Sequence, residues 1–177
     1  VQEKPTPERD SHVSTVEAAQ SSDAAIYEAL RDELVRFAAA IVGRDSAEDV
    51  LSTVMIRTIN RQHLTELHEP RPYLYKAVLN EARSFLRSRH GRDSLARNVA
   101  AQLHPVMGQT PESLALDGDV RQAVLALPPR QRAATYLTYW TGFSIAETAD
   151  LMGCSPGTVG RYLHLARKHL RRALDGR

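Results

Sequence analysis

The chain has 177 residues, of which 42% are hydrophobic, 25% charged and 6% aromatic, and its formal charge is only +2. That composition suits one or two small globular domains. It offers no apolar run near the roughly 18 residues of a membrane span, no apolar core of a signal peptide at the N-terminus, and, with one cysteine, no internal disulfide.

The first 25 residues hold five acidic and two basic side chains, two prolines and many Ser and Ala. This predicts a flexible tail over residues 1–23. From Ile26 the apolar pattern is helical: Ile26, Leu30, Leu34, Phe37 and Ile41 form one stripe that stops at Gly43. Asp45 or Ser46 is positioned to cap a second helix, whose apolar face would be Ala47, Val50, Leu51, Val54, Ile56 and Ile59. A third helix is expected from about Tyr73 to Arg89, closed by Gly91. The segment 91–110 has glycine near both ends and no sustained stripe, so it reads as a linker, able to span at most ~70 Å when extended.

Thr110-Pro111-Glu112 combines an N-cap, a proline at the first helical position and an acid in the first turn. A helix carrying Leu114, Val120, Val124 and Leu127 should follow and stop before Pro128. Arg130 to Trp140 reads as the next helix, ended by Gly142. The last stretch is the most explicit. Ser144 and Glu147 have the spacing of a capping box, Ile145, Ala149 and Met152 share one face, and Gly153 stands where a left-handed C-cap belongs. Ser155 and Pro156 then open a second helix with a stripe of Val159, Leu163, Ala166, Leu170 and Leu174. Two capped helices joined by a glycine turn predict a helix-turn-helix. The expected fold is all-α: two small helical domains, residues 24–90 and 111–177, joined by a flexible linker.

Charge is concentrated at the C-terminal end, where Ser155 to Arg177 holds six Arg/Lys and one Asp. A helix of this kind fits the major groove, its first turns at base edges and its later cations at phosphates. The outer face predicted from periodicity carries Thr158, Arg161, Tyr162, Leu165, Lys168 and Arg172. Catalysis finds little support: the pairs His63/His68 and His164/His169 are five apart and fall on different helical faces, and no phosphate loop or HExxH is present. No metal and no cofactor are expected.

The motifs also resemble a known family. "AEDVLSTVMIRTI" and "YLYKAVLNEARSFLRSR" are similar to region 2, and "LPPRQRAATYLTYWTGFSIAETADLMGCSPGTV" with "LHLAR" is similar to region 4, of the extracytoplasmic-function (ECF) group of bacterial RNA polymerase sigma factors. The resemblance implies an alternative sigma factor, cytoplasmic and not an enzyme. Its partners would be core RNA polymerase, promoter DNA and an anti-sigma factor.

Residue by residue, the resemblance implies core-polymerase contacts at Glu48 and Asp49, acids that also complement a helix dipole. It implies −10 contacts at Asn80, Arg83 and Arg87. It implies −35 contacts at Arg130, Arg132, Ser155, Thr158, Arg161, Tyr162, Arg167, Lys168 and Arg171. The loop RQHLTELHEP falls where the family holds an unstacked promoter base. Departures are Ser52-Thr53 for Gln-Glu, Ile59 for Trp, Leu79 for Arg, Gly160 for Lys and Leu165 for Arg. Two other functions fit the residues alone: a conventional helix-turn-helix regulator and a helical interaction module.

Overall fold

A computed structural model of the chain describes residues 9–97 and 118–175. Among these residues the regular structure is helical throughout, with no strand. The first helix, α1, spans Arg9–Val42. The expected flexible tail is therefore corrected from residue 9 onward, while residues 1–8 lie outside the described ones. Good helix formers in "VEAAQ" favour that extension, and Asp23 ties the helix to the rest of the fold. Its carboxylate is buried, with Oδ2 2.7 Å from His63 Nδ1 and Oδ1 accepting the Thr65 N–H at 3.0 Å. Burial opposes ionisation of Asp23, but the bonds from His63 and the Thr65 backbone prevail and hold its carboxyl below the usual range.

Gly43, at φ 91°, turns the chain into α2, Arg44–Ile59. Neither Asp45 nor Ser46 caps this helix; Gly43 occupies the cap position with no side-chain bond, and Asp45 sits in the first turn. The buried face is Ala47, Val50, Leu51, Val54, Met55 and Thr58. Ile56 and Ile59, expected in the core, are instead 62% and 52% exposed. At 100° per residue Ile56 falls opposite the Val54–Thr58 line, and Thr58 takes the inner place by bonding its hydroxyl back to the Val54 carbonyl at 2.8 Å.

A 3-10 turn, Leu64–Glu66, follows, with Leu64 fully buried. Helix α3 spans Pro70–Arg97, starting before Tyr73 and passing through Gly91. Pro70 suits the first position because that N–H has no helical partner in any case. One interior glycine costs about 1 kcal/mol, which weakens a helix without ending it.

The C-terminal half contains α4 (Gly118–Leu125), α5 (Pro129–Tyr139), α6 (Ile145–Met152) and α7 (Pro156–Asp175). The expected start at Thr110-Pro111, with Leu114, lies outside the described residues. α4 packs on α7 through a small cluster of Val124, Leu127 and Ala166, with Leu170 at its edge.

The main core is shared by both halves. It joins Leu34, Phe37, Leu51, Leu74, Tyr75 and Val78 to Tyr136, Leu137, Phe143, Met152 and Val159. Phe37 lies 5.0 Å from Tyr75 and 5.3 Å from Tyr136 between ring centroids, and Tyr75 meets Phe143 edge-on at 5.3 Å. Full burial of each such side chain is worth about 1.5–3 kcal/mol. The halves that the sequence separates are packed against each other here, α1 on α5 and α3 on α6.

Candidate nucleic-acid interface

The helix-turn-helix is built as its caps predict. The Glu147 N–H donates to Ser144 Oγ at 3.2 Å, and the Ser144 N–H donates to Glu147 Oε2 at 2.7 Å. Those bonds also hold the Glu147 carboxyl below its usual range. At the other end Gly153 is left-handed (φ 63°, ψ 46°), and the N–H of Cys154 returns to the Ala149 carbonyl at 3.0 Å. Any residue with a Cβ would be strained at that φ. Ala149, Leu151 and Met152 are buried, whereas Ile145, expected with them, is 44% exposed. Thr148 is fully buried instead, its hydroxyl 3.4 Å from that of Thr138.

Ser155 caps α7, accepting the Thr158 N–H at 3.2 Å, and the two hydroxyls lie 2.9 Å apart. Both side chains therefore serve the cap in the described state. Val159, Leu163 and Ala166 anchor α7. Opposite them Arg161, His164 and Lys168 are exposed in one line, spaced by three and four residues. His164, Arg167, Lys168, Arg171 and Arg172 line one surface depression.

This places the outer face slightly differently from expectation. Tyr162 and Leu165 are half-buried rather than outermost, and Tyr162 packs against the main core. His164 takes the outer position. It was missed because a histidine at this spacing carries no charge signal, although its place between Arg161 and Lys168 could have shown it. Arg130 stays at the surface, donating to Tyr162 Oη at 3.2 Å.

Two of the residues expected to contact DNA, Arg132 and Arg83, are engaged within the fold. Arg132 points inward. It donates from Nε and Nη2 to the Leu127 carbonyl at 3.3 and 2.9 Å and from Nη1 to the Ala40 carbonyl at 2.8 Å. Burial depresses its pKa. Arg83 donates to the Met152 carbonyl at 3.1 Å. Burial and then the nearby Arg130 guanidinium lower its pKa. Both guanidiniums found main-chain carbonyls at helix ends, acceptors that suit the same fork of N–H donors as a phosphate does.

The remaining predicted residues lie at the surface. Asn80 and Arg87 are exposed on α3, and Glu48 and Asp49 are exposed on α2. Glu48 binds Arg31 at 2.8 Å, while the Asp49 carbonyl accepts the Thr53 hydroxyl at 2.8 Å. Sequence reasoning did not single out Arg71. It reaches Glu33 at 2.9 Å and the Thr141 carbonyl at 3.1 Å, with its guanidinium carbon 4.8 Å from the centre of the Phe143 ring.

An all-helical chain that ends in a capped helix-turn-helix with a basic outer helix defines a DNA-binding protein. Comparison with known proteins gives its family. Residues 26–92 match Sigma-70 region 2, and residues 117–170 match Sigma-70, region 4. The chain is 30% identical over 133 residues to the RNA polymerase sigma-E factor of Streptomyces antibioticus, covering 74% of this chain and 72% of that protein. It is 29% identical over 150 residues to the sigma-E factor of Streptomyces avermitilis, covering 83% and 82%.

Among solved structures, sigma factor RpoE of Bartonella quintana, in complex with the anti-sigma factor NepR, superposes with a TM-score of 0.69 at 26% identity, covering 84% of this chain and 94% of that one. CnrH, in complex with the cytosolic domain of CnrY, shares the fold with a TM-score of 0.60 at 21% identity, covering 91% and 94%. The chain belongs to the ECF group of RNA polymerase sigma factors. It is an alternative sigma factor, which binds core RNA polymerase and directs initiation at particular promoters. No described helix is long and apolar enough to cross a membrane.

Proposed function

We propose that the two halves divide promoter reading between them, 24–90 at the −10 element and 111–177 at the −35 element. The observation that carries this is the exposed line Arg161–His164–Lys168 on a helix fixed by caps at its first turn. Arg161 sits near the helix start, where base edges are reached. Arg167, Lys168 and Arg171 follow where the phosphate backbone passes. Arg130, held by Tyr162, supports the flanking strand. On α3, Asn80 and Arg87 offer a polar face to a single strand. On α2, Glu48 and Asp49 face solvent and form the contact to core polymerase.

The protein works in the cytoplasm, where its polymerase is, and contributes no catalysis of its own. The solved relative held by NepR supports a comparable anti-sigma partner for this chain.

Run-off transcription with purified core polymerase tests the assignment. Arg161→Ala should cost about 1–3 kcal/mol on the preferred promoter and relax preference at one base pair. Lys168→Ala should weaken all promoters alike and reduce the salt slope by about 0.9. Asp49→Arg should lose co-purification with core enzyme, and Asn80→Ala should retain it while losing promoter opening. If Arg161→Ala and Lys168→Ala behaved identically on every promoter variant, the division of roles along α7 would be wrong. Promoter binding that neither needs nor responds to core polymerase would favour a conventional regulator.

A further inference from the structure

Among the described residues Asp23 is the only buried carboxylate, and the promoter-reading surfaces proposed above make no use of it. It comes from the early part of α1, a stretch that the sequence alone reads as a tail. Both of its oxygens serve one target, the loop that joins α2 to α3. Oδ1 accepts the Thr65 N–H at 3.0 Å, and Oδ2 lies 2.7 Å from His63 Nδ1. Thr65 sits in the 3-10 turn Leu64–Glu66, whose own cap residue, His63, makes no side-chain bond to it. The amides that open such a turn have no partner within it. Asp23 is therefore a cap supplied from another helix.

Stability alone does not call for a buried charge, since an apolar side chain of similar size serves a core at least as well. What a carboxylate adds is direction, because its hydrogen bonds form only in a narrow geometry. Leu64, fully buried, already fastens the loop to the core. Asp23 sets which way the outer residues of the loop face. Those residues are Arg61, Thr65, Glu66, His68 and Glu69, all exposed. With one arginine against two glutamates they make no track for phosphates, whereas their donors and acceptors suit base edges. The loop is also in the right place. Lys76, Asn80 and Arg87 are exposed in one line on α3. The loop ends where α3 begins, at Pro70, roughly 15 Å along the helix from Asn80. A strand that follows the exposed line past Lys76 arrives at the loop.

We propose that Asp23 is a positioning residue for promoter discrimination. It holds the α2–α3 loop in the one arrangement in which the outer residues of the loop meet bases of the −10 strand, so the early part of α1 belongs to the reading apparatus. This rests on the assignment of 24–90 to the −10 element made above.

Two measurements test it: amide exchange at Thr65 in the free full chain, and run-off transcription by holoenzyme on promoters randomised at the −10 or the −35 element. In Asp23→Ala the Thr65 amide should exchange faster, and discrimination among −10 sequences should fall about tenfold. The −35 preference, the salt slope and co-purification with core polymerase should stay as in the wild type. Asp23→Asn keeps an acceptor for the Thr65 N–H and should recover most of the discrimination. Should Asp23→Ala not fold, His63→Ala, which removes one of the two bonds, should show the same change to a smaller extent. A folded Asp23→Ala or His63→Ala protein with wild-type −10 preference would overturn the proposal. So would an equal loss at both elements, which a purely structural role predicts, or an Asp23→Asn protein no better than Asp23→Ala. If the wild-type holoenzyme shows no preference at the −10 element while the Thr65 amide still responds to Asp23→Ala, the −10 assignment falls and takes the discriminating role of Asp23 with it, leaving only the cap.

Discussion

Arg132 is where sequence and structure give opposite forecasts, and truncation to alanine separates them. As a phosphate clamp, Arg132 would leave stability untouched when removed. As placed, it satisfies the carbonyls of Leu127 and Ala40 through three N–H groups. Removing the donor leaves two carbonyls short of a partner, at about 1–3 kcal/mol each. Water entering the vacated space recovers part of that for a side chain only half-buried, so a net loss of about 2–4 kcal/mol is expected. For a chain of this size each kcal/mol lowers Tm by about 2–4 °C. Thermal unfolding followed by circular dichroism should therefore fall by about 4–16 °C. Arg130→Ala, which frees only an exposed bond to Tyr162, should scarcely move it. Promoter affinity of the holoenzyme across a salt series should show the reverse order: Arg130→Ala flattens the slope and Arg132→Ala keeps it. A stable Arg132→Ala protein whose salt slope drops by about one phosphate would refute the structural role.

Three further outcomes follow from single residues. Gly160→Ala meets no atom within 4 Å of the added Cβ, so it should stabilise α7 by up to about 1 kcal/mol; a fall in Tm would show that the helix needs the glycine. Asp23→Ala should cost about 1.5–3 kcal/mol, the worth of hydrogen bonds to a charged group. Because the native pKa of Asp23 is lowered, its contribution is present above the unfolded value of about 3.9 and is lost as pH falls below it. Denaturant titrations should accordingly show the wild-type advantage shrinking under acid, and a constant advantage at all pH would exclude an ionised Asp23 as its source. His164→Ala should weaken binding to the preferred promoter while leaving the salt slope unchanged, as measured with holoenzyme; equal loss on all sequences would make it a backbone contact.

What the sequence made legible is local. The capping box of Ser144 and Glu147, the left-handed Gly153 and the Ser155 cap all involve partners within five residues, and each appears as expected. Helix faces were nearly as clear, with errors where neighbouring residues compete for the inner position, as Ile56 and Ile59 did with Met55 and Thr58. The shared core was not legible, because Phe37 and Tyr136 are 99 residues apart in the chain and nothing local couples them. Nor was the fate of individual arginines. A guanidinium in a basic stretch has equal chemistry for a phosphate and for a helix-end carbonyl, and only the tertiary arrangement chooses.

The departures from the family pattern sort by face, and that sorting bears on what has diverged. Leu79, where the family motif has Arg, is 1% exposed and lies with Val78 and Ala82 in the shared core. Its substitution therefore trades a charge for packing without altering the outer surface beside Asn80. Thr53 folds its hydroxyl back onto the Asp49 carbonyl, and the Asp49 side chain stays exposed. Ile59 and Gly160 are different. Ile59 is 52% exposed, and Gly160 faces open space in which a side chain would fit. The fold asks for neither residue. An exposed isoleucine is no better for the core, and an interior glycine costs its helix about 1 kcal/mol against alanine. Exposed residues that local stability disfavours point to a requirement other than folding. With α7 in the groove as proposed, glycine at position 160 would let the helix backbone come closer to DNA than a lysine would, with one cation fewer at the phosphates. The −35 sequence read by this chain should consequently differ from that of relatives with lysine at this position. Gly160→Lys should shift binding-site selection toward theirs, whereas Leu79→Arg should unfold the protein before it changes any preference. Selection from a randomised −35 library with holoenzyme would decide the point, and an unchanged selected sequence with Gly160→Lys would show that this position does not face the bases.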